Sequence, residues 1–153
     1  MTTIAYRDGV LAADTQMSYG DTSISTPDLK LFIAGKFAVA VCGDCRMIPT
    51  IKRWFEDYNC HPKEAPERLW DENFDVLAMD ANGSLFMLLA DELYDLPCDF
   101  FAIGSGRLLA LGAMEYGASA PRAVEVAAAH DVYTGTPIQY ISKAQLAKAI
   151  KAK

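Results

Sequence analysis

Three dipeptides that favour tight turns, each between two apolar segments, constrain the fold of this chain more than any other feature. They are Asp8-Gly9, Gly35-Lys36 and Asn82-Gly83, and the segments beside them have the length of strands. Asp, Asn and Gly tolerate the positive φ angles of tight turns, so each dipeptide predicts a β-hairpin. The chain is therefore expected to contain antiparallel sheet.

The first hairpin begins at the start of the chain. Pairing about Asp8-Gly9 brings Thr3 opposite Asp14 and holds the N-terminal residues in a strand. If Met1 is removed, Thr2 carries a hydroxyl and a free α-amine, and an amine that titrates near ~8 can act as the base for that hydroxyl. The plainer interpretation, in which these residues only start a strand, stays open at this point.

Helical spacings and further strands fill the rest of the chain. Helices are predicted at residues 45–58, 107–116, 119–130 and 142–153 with a short one near 65–73, strands at 100–103 and 138–141, and a loop with at most a short strand at 15–27. Hairpins interleaved with helices are typical of α+β folds that pack in layers. At 153 residues the chain fits one domain.

Charge and composition exclude several functions. The net charge of −6 argues against a nucleic-acid partner, which needs clustered Lys and Arg. No apolar run is long enough to cross a membrane, and no signal peptide is visible. The four cysteines are therefore expected to be buried thiols in a reducing, cytoplasmic setting.

Two positions next to apolar segments are candidates for chemistry. Lys30 interrupts an apolar strand, and a buried ammonium needs a carboxylate partner, for which Asp14 is the candidate; a lysine at an exposed strand edge is the alternative. Gly43 ends the following strand, where a helix is predicted to begin. Unpaired N–H groups at such a helix start can stabilise an oxyanion.

Together these segments resemble the proteasome β-subunit family, most closely its bacterial HslV type, within the N-terminal nucleophile hydrolases. Five motifs carry the resemblance, and they follow one another in the family's order. They are Thr2-Thr3-Ile4, Asp14 with its spacing to Lys30, the oxyanion turn at Cys42-Gly43-Asp44, Gly104-Ser105-Gly106, and Asp131-Val132-Tyr133-Thr134-Gly135, in which Thr134 replaces the usual serine.

The resemblance implies a fold and an activity. The fold would be α+β, a four-layer αββα sandwich of two antiparallel sheets that spans residues 1–153. The activity would be that of a threonine-type endopeptidase that needs no cofactor or metal and acts on peptides or polypeptides. The family also allows an ATP-dependent unfoldase as a partner.

The resemblance also assigns roles to individual residues. Thr2 is the nucleophile once Met1 is gone, and its own α-amine moves the proton. Asp14 holds Lys30, whose charge favours the deprotonated hydroxyl and amine. The site is completed by the oxyanion N–H of Gly43, by the ordering residues Ser105, Asp131 and Thr134, and by Met17 and Val41 in the specificity pocket.

Two departures from the family bear on assembly and charge. The second long central helix is reduced to a segment near residues 66–73, so whether a ring forms is left open. The oxyanion turn has Asp44 where a second glycine is usual, which adds a negative charge near the site. Homo-oligomers are still expected, because the first predicted helix carries a wide apolar stripe of Met47, Ile51, Trp54 and Phe55.

Other interpretations stay open. One is a family member that is catalytically silent or that cleaves a small amide. A second is a thiol redox protein acting through Cys42 and Cys45, although hairpins precede this pair instead of a βαβ unit. A zinc site that adds Cys60 and His61 is weaker, because structural sites space their paired ligands further apart.

Overall fold

The computed structural model describes residues 1–57, 73–89 and 92–153. The short helix predicted near residues 65–73 lies outside this part of the chain apart from Asn73. Cys60 and His61 lie outside it entirely.

The described elements alternate between strands and helices. In chain order the strands are β1 (Thr3–Arg7), β2 (Val10–Ala13), β3 (Gln16–Tyr19), β4 (Thr22–Ser25), β5 (Leu31–Ala34), β6 (Phe37–Gly43), β7 (Phe74–Met79), β8 (Leu85–Leu89), β9 (Glu92–Asp95), β10 (Phe100–Gly104) and β11 (Gln139–Ser142). The helices are α1 (Ile48–Asp57), α2 (Arg107–Glu115), α3 (Ala120–His130) and α4 (Lys143–Lys151), and a 3₁₀ turn at Cys45–Met47 precedes α1.

The strands form two larger sheets and one separate hairpin. The first sheet has the order β10-β1-β2-β11, and the second has the order β5-β6-β7-β8-β9. Neighbouring strands are antiparallel throughout both sheets. The prediction of mixed α and β structure with antiparallel sheets is therefore confirmed.

The first predicted turn has the expected conformation. Asp8 and Gly9 both have positive φ angles, 51° and 71°, as a two-residue hairpin turn of this kind requires. The Asp14 N–H donates a hydrogen bond to the Thr3 carbonyl at 3.2 Å. Thr3 therefore lies opposite Asp14, as the sequence predicted.

The two larger sheets share an apolar core between them. Because successive strand residues point to opposite faces, Ile4 and Leu11 of the first sheet point inward. They belong to one buried cluster with Leu31, Leu77 and Met79 of the second sheet. The N-terminal strand is thus fixed within the first sheet and packs against the second.

Helices pack against the other face of each sheet. Small residues on the first sheet, Ala5, Ala12 and Ala102, form a buried cluster with Met114 of α2 and Val124 of α3. On the second sheet, Trp54 and Phe55 of α1 pack with Val39 and Val76. Ser119 caps α3 and Ser142 caps α4, both through side-chain hydrogen bonds to backbone N–H groups, as the sequence predicted.

The structure corrects three local predictions. Residues 15–27 hold a hairpin of two strands, β3 and β4, instead of a loop with at most one; residues Ser18 to Ser25 are exposed, so the alternation that marks a half-buried strand is missing. Strand β9 was not predicted. The predicted helix at residue 45 begins as a 3₁₀ turn, because the Asp44 carboxylate accepts the Arg46 N–H.

The apolar stripe of the first helix does not face solvent. Met47 is 8% exposed, and Ile51, Trp54 and Phe55 are fully buried. These side chains pack against the second sheet of the same chain. The sequence argument that they need a second copy to cover them is therefore wrong.

The cysteine and membrane expectations have mixed outcomes. Cys42 is buried as expected, but Cys45 and Cys98 are exposed. Among the described residues, no helix combines the length and the apolar character needed to cross a membrane.

Candidate active site

Thr2 and Thr3 lie at the beginning of β1 and are buried despite being polar, with 2% and 0% exposure. The Thr2 carbonyl accepts a hydrogen bond from the Ser105 N–H at 2.8 Å. The Thr3 N–H donates to Asp14 Oδ1 at 3.2 Å. The backbone of the candidate nucleophile is therefore held from both sides.

Asp14 and Lys30 form the buried ion pair that the sequence suggested. Lys30 Nζ lies 3.1 Å from Asp14 Oδ1, and their side chains are 9% and 0% exposed. The second oxygen, Oδ2, accepts the N–H groups of Gln16 at 3.2 Å and Gly135 at 3.0 Å. The exposed-edge alternative for Lys30 is thus wrong.

The Lys30 ammonium also lies beside the N-terminal residues. Its Nζ is 3.4 Å from the carbonyl oxygen of Met1, and the carbon of that carbonyl is bonded to the Thr2 nitrogen. Burial lowers the pKa of Lys30, and attraction to Asp14 offsets only part of this effect. The site therefore contains a cation that gives up its proton more readily than an exposed lysine does.

Gly43 has the position predicted for an oxyanion donor, but the reason differs. At the helix start the N–H groups of Asp44 and Met47 are already used, since Asp44 donates to the Asn73 carbonyl at 3.0 Å and Met47 to the Asp44 carbonyl at 3.1 Å. Amides of successive strand residues point to alternate sides. The Gly43 N–H therefore points away from β7. It lies on the same side of β6 as the Val41 N–H, which donates a hydrogen bond to the Lys30 carbonyl.

The backbone at Gly43 excludes other residues. Its φ is +100°, and a Cβ there would lie 2.8 Å from the Phe74 Cα. An L-residue with a side chain would be strained in this conformation and would collide with β7. Glycine is needed here for conformation and for space.

Asp44 does not add a free negative charge to the site. Its carboxylate forms an ion pair with Arg46 at 2.7 Å, and hydrogen bonds from the Arg46 side chain and backbone lower its pKa. The residues that line the two cavities beside Thr2 do not include it. The expected electrostatic penalty at the oxyanion turn is therefore offset locally.

Ser105, Asp131 and Thr134 form a connected hydrogen-bond network. Ser105 Oγ and Thr134 Oγ1 both donate to Asp131 Oδ2, at 2.5 and 2.6 Å. Thr134 Oγ1 also lies 2.7 Å from Thr3 Oγ1, and Ser105 Oγ lies 3.4 Å from the Thr2 carbonyl. The network thus contacts the backbone of Thr2 and the side chain of Thr3.

Asp131 is kept ionised by these donors. Burial acts to raise the pKa of its carboxyl, but the hydrogen bonds from Ser105, Thr134 and the Tyr133 N–H outweigh it, so the pKa is lowered. The resemblance implied contacts to the N-terminal threonine. In the structure Ser105 contacts the Thr2 carbonyl, Thr134 contacts the side chain of Thr3 instead, and Asp131 binds Ser105 and Thr134 without a hydrogen bond to either threonine of the chain start.

Two cavities meet at Thr2. The smaller, of about 110 Å³, is lined by the predicted pocket residues Met17 and Val41 together with Lys30. The larger, of about 390 Å³, is bounded by β10 and by the ends of β6 and β7. Thr2 and Gly43 line both, so a group held between these two residues would have access to each cavity.

Several residues at the site were not among the predicted site residues. Thr3 contributes its hydroxyl to the network, and the Gly135 N–H binds Asp14. Asp75 and Arg107 line the larger cavity. The second threonine at the chain start was a usable signal for Thr3, but the contacts of Asp75 and Arg107 depend on strands that meet only in the fold.

The Cys42 and Cys45 pair lacks the properties of a redox site. Burial, together with the nearby Asp75 carboxylate, raises the pKa of the Cys42 thiol to about 12. Redox-active pairs need a thiol with a lowered pKa. The thiol redox interpretation is therefore not supported by this environment.

Comparison with solved structures finds proteins whose overall fold resembles that of this chain. The chain resembles Thiobacillus denitrificans BPH in complex with epoxomicin at 25% identity, with a TM-score of 0.68 over 92% of this chain and 96% of that one. A second structure of Thiobacillus denitrificans BPH matches at 22% identity, with a TM-score of 0.63 over 92% of this chain and 95% of that one. No family model and no curated protein matches the sequence. The chain shares the mixed α and β fold of BPH.

Proposed function

We propose that this protein is an amide or peptide-bond hydrolase in which Thr2 acts as an N-terminal nucleophile, as in the proteasome β-subunit family. The observation that carries the proposal is the position of Lys30 Nζ, 3.1 Å from Asp14 Oδ1 and 3.4 Å from the carbonyl next to the Thr2 nitrogen. A buried ammonium is costly in free energy. Such groups concentrate at functional sites.

The packing supports an N-terminal nucleophile hydrolase fold of four layers. Helices α2 and α3 form one outer layer, the two sheets form the inner layers, and α1 packs on the outer face of the second sheet. In this arrangement the two cavities and Thr2 lie at one end of the space between the sheets.

The similarity to BPH supports the same chemistry. One BPH structure contains epoxomicin, which is a proteasome inhibitor. This chain covers nearly all of BPH in that comparison. Epoxomicin is therefore a suitable probe for a reactive threonine in this protein.

The proposed reaction has two steps after removal of Met1. Thr2 Oγ attacks the amide carbonyl carbon, its proton passes to the Thr2 α-amine, and the amine delivers that proton to the departing nitrogen as the C–N bond breaks. Water then hydrolyses the acyl ester, which restores the Thr2 hydroxyl and releases the acid. The Gly43 N–H stabilises the oxyanion in both steps.

Lys30 and Asp14 support this chemistry through charge. The ammonium beside Thr2 favours the deprotonated forms of the hydroxyl and the amine. Asp14 fixes the lysine and also binds the Thr3 N–H at 3.2 Å. One carboxylate therefore aligns both the cation and the strand that bears the nucleophile.

The smaller cavity is the proposed pocket for the acyl side chain. Met17 and Val41 contribute apolar walls to it, which favours an apolar group. Met1 lines both cavities, so its removal would open both to a substrate. With Met1 in place, the volume of the smaller cavity is about 110 Å³.

Mass spectrometry and hydrolysis rates test the proposal together. We expect the intact mass of protein from its native host to be one methionine short. Thr2→Ala should abolish hydrolysis of fluorogenic peptides without lowering the melting temperature, and Thr2→Ser should retain part of the activity. Wild-type hydrolysis by Thr2→Ala would assign catalysis to another group, and full retention of Met1 together with no hydrolysis would indicate a catalytically silent scaffold.

Homo-oligomers are proposed as well, on surfaces other than the one first expected. Leu108 is 72% exposed and Tyr116 is 95% exposed, at opposite ends of α2. Large apolar and aromatic side chains are enriched at interfaces between subunits. Light scattering at micromolar concentration should give a mass above that of one chain, and a clean monomer would contradict the proposal.

A further inference from the structure

We propose that the larger cavity beside Thr2 binds the substrate residue on the amine side of the scissile bond, and that Asp75 favours a basic side chain there. The inference rests on the proposed hydrolase function. It adds a second specificity site and names the chemistry that this site recognises.

The position of the larger cavity indicates which part of the substrate it would bind. Thr2 and Gly43 line both cavities, so a carbonyl held between the Thr2 hydroxyl and the Gly43 N–H lies at their junction. If the acyl side chain occupies the cavity of Met17 and Val41, the chain beyond the scissile nitrogen continues into the other. At about 390 Å³, that cavity has room for a long side chain.

The walls of this cavity suit an aliphatic stem. Phe101 and Ile103 of β10 contribute apolar side chains from the first sheet, and both belong to the core between the sheets. Cys42 contributes from β6, and its pKa of about 12 keeps the thiol neutral. A lysine or arginine side chain can lay its methylene groups on such a surface.

Asp75 supplies a charge at the same wall. It lies directly opposite Cys42 in the β6–β7 ladder, and opposed residues project from the same face of a sheet. Its Oδ2 lies 4.0 Å from Cys42 Sγ. Within the described parts of the chain, the ion pairs do not include Asp75.

The other charged residue that lines this cavity is Arg107. Its Nη1 donates to the carbonyl of Gly104, the last residue of β10, at 3.1 Å. Among the described residues, this cavity therefore combines apolar walls with a carboxylate that lies outside every ion pair. A ligand with an aliphatic stem and a cationic tip complements both features.

Matched peptides test this recognition. Internally quenched substrates would be identical except for the first residue after the scissile bond, which is lysine, norleucine or glutamate. For the wild-type protein we expect kcat/KM to fall in that order, with lysine about two- to fivefold above norleucine, the range for one partly exposed ion pair. Asp75→Asn should bring that ratio to about one, and Asp75→Lys should make glutamate the best residue.

Asp99→Asn is the matched control, because Asp99 is exposed, directly precedes β10 and does not line the cavity. This variant should keep the preference for lysine. Equal cleavage of the three peptides by the wild-type protein, or an unchanged preference in Asp75→Asn, overturns the inference and leaves the hydrolase intact. Failure to cleave any peptide, together with no epoxomicin adduct on Thr2, overturns the proposed function and the inference with it.

Discussion

Two carboxylates hold the N-terminal strand, and they differ in the donors that they bind. Asp14 is fully buried and is surrounded by groups that can only donate hydrogen bonds. Its partners are the backbone N–H groups of Thr3, Gln16 and Gly135 and the ammonium of Lys30. Such a site needs a side chain with two acceptor oxygens.

Asp131 is half-buried and binds mostly hydroxyl groups. Ser105 and Thr134 donate to one of its oxygens, and the Tyr133 N–H donates to the other at 3.2 Å. A hydroxyl can rotate and become an acceptor. Two aspartates at one site can therefore differ in how well they tolerate substitution. Asp14 is bound mostly by fixed backbone N–H groups, whereas the hydroxyls around Asp131 can rotate.

The most direct test of this difference is the same substitution at both positions. Asp14→Asn turns an amide NH₂ towards fixed N–H donors and leaves Lys30 without its counter-charge, so we expect a loss of about 3–5 kcal/mol in unfolding free energy. Asp131→Asn should lose only about 1 kcal/mol, since its hydroxyl partners can reorient. Denaturant unfolding of both variants measures this, and equal losses would remove the distinction.

Peptide hydrolysis should distinguish the Asp14–Lys30 pair from the Asp131 network further. Lys30→Met removes the charge beside Thr2, and we expect at least a ~100-fold loss of peptide hydrolysis, the lower end for acid–base catalysis. The protein should still fold, because three backbone donors continue to bind Asp14. Lys30→Arg should not restore activity, since a planar guanidinium does not fit the position of a compact ammonium.

Lys36→Met is the control for that variant, because Lys36 is exposed in the turn between β5 and β6. It should hydrolyse peptides at the wild-type rate. Comparable losses in the Lys36 and Lys30 variants would show that the effect is not specific to the site.

A smaller effect is expected at the hydroxyl network. Thr134→Val keeps the shape of the side chain but removes the bridge between Asp131 Oδ2 and Thr3 Oγ1, which should lower stability by about 1–2 kcal/mol. Thr134→Ser should keep most of that stability, because it preserves the hydroxyl. Thermal unfolding of the two variants, compared with the wild type, distinguishes a hydrogen-bond role from a packing role.

The smallest expected effect is the pH dependence of stability that Asp131 contributes. Its folded-state pKa is lowered from the ordinary 3.8, so in acid the unfolded chain binds this proton first and stability falls as pH drops below about 4. After solvent screening the contribution should be less than about 1 kcal/mol. Asp131→Asn should flatten this part of the stability profile between pH 5 and pH 3, and an unchanged slope would assign it to other carboxylates.

Local signals in the sequence predicted much of the fold. The turn dipeptides placed the hairpins, and Ser119 and Ser142 placed two helix starts, because these features act over a few residues. The β3–β4 hairpin escaped prediction because its strands are largely exposed and carry no alternating pattern. The apolar stripe of α1 was read as an interface because the sheet that covers it is assembled from distant segments.

The candidate site divides in the same way. Asp14 and Lys30 were paired from the sequence because a lysine in an apolar strand needs a counter-charge. Three features depend on strand register or side-chain direction and were not predicted. They are the hydrogen bonds already made by amides at the oxyanion turn, the Asp44–Arg46 ion pair, and the position of Asp75 opposite Cys42. The Asn73 acceptor for the Asp44 amide and the position of Asp75 are settled only when β6 pairs with β7.

Covalent labelling of Thr2 tests the central claim most directly. After incubation with epoxomicin, the intact mass of the wild-type protein, already one methionine short, should increase by the mass of one inhibitor per chain, and peptide mapping should locate the increase at Thr2. Thr2→Ala should remain unlabelled under the same conditions. An unlabelled wild-type protein, or equal labelling of Thr2→Ala, would contradict the assignment of Thr2 as the nucleophile.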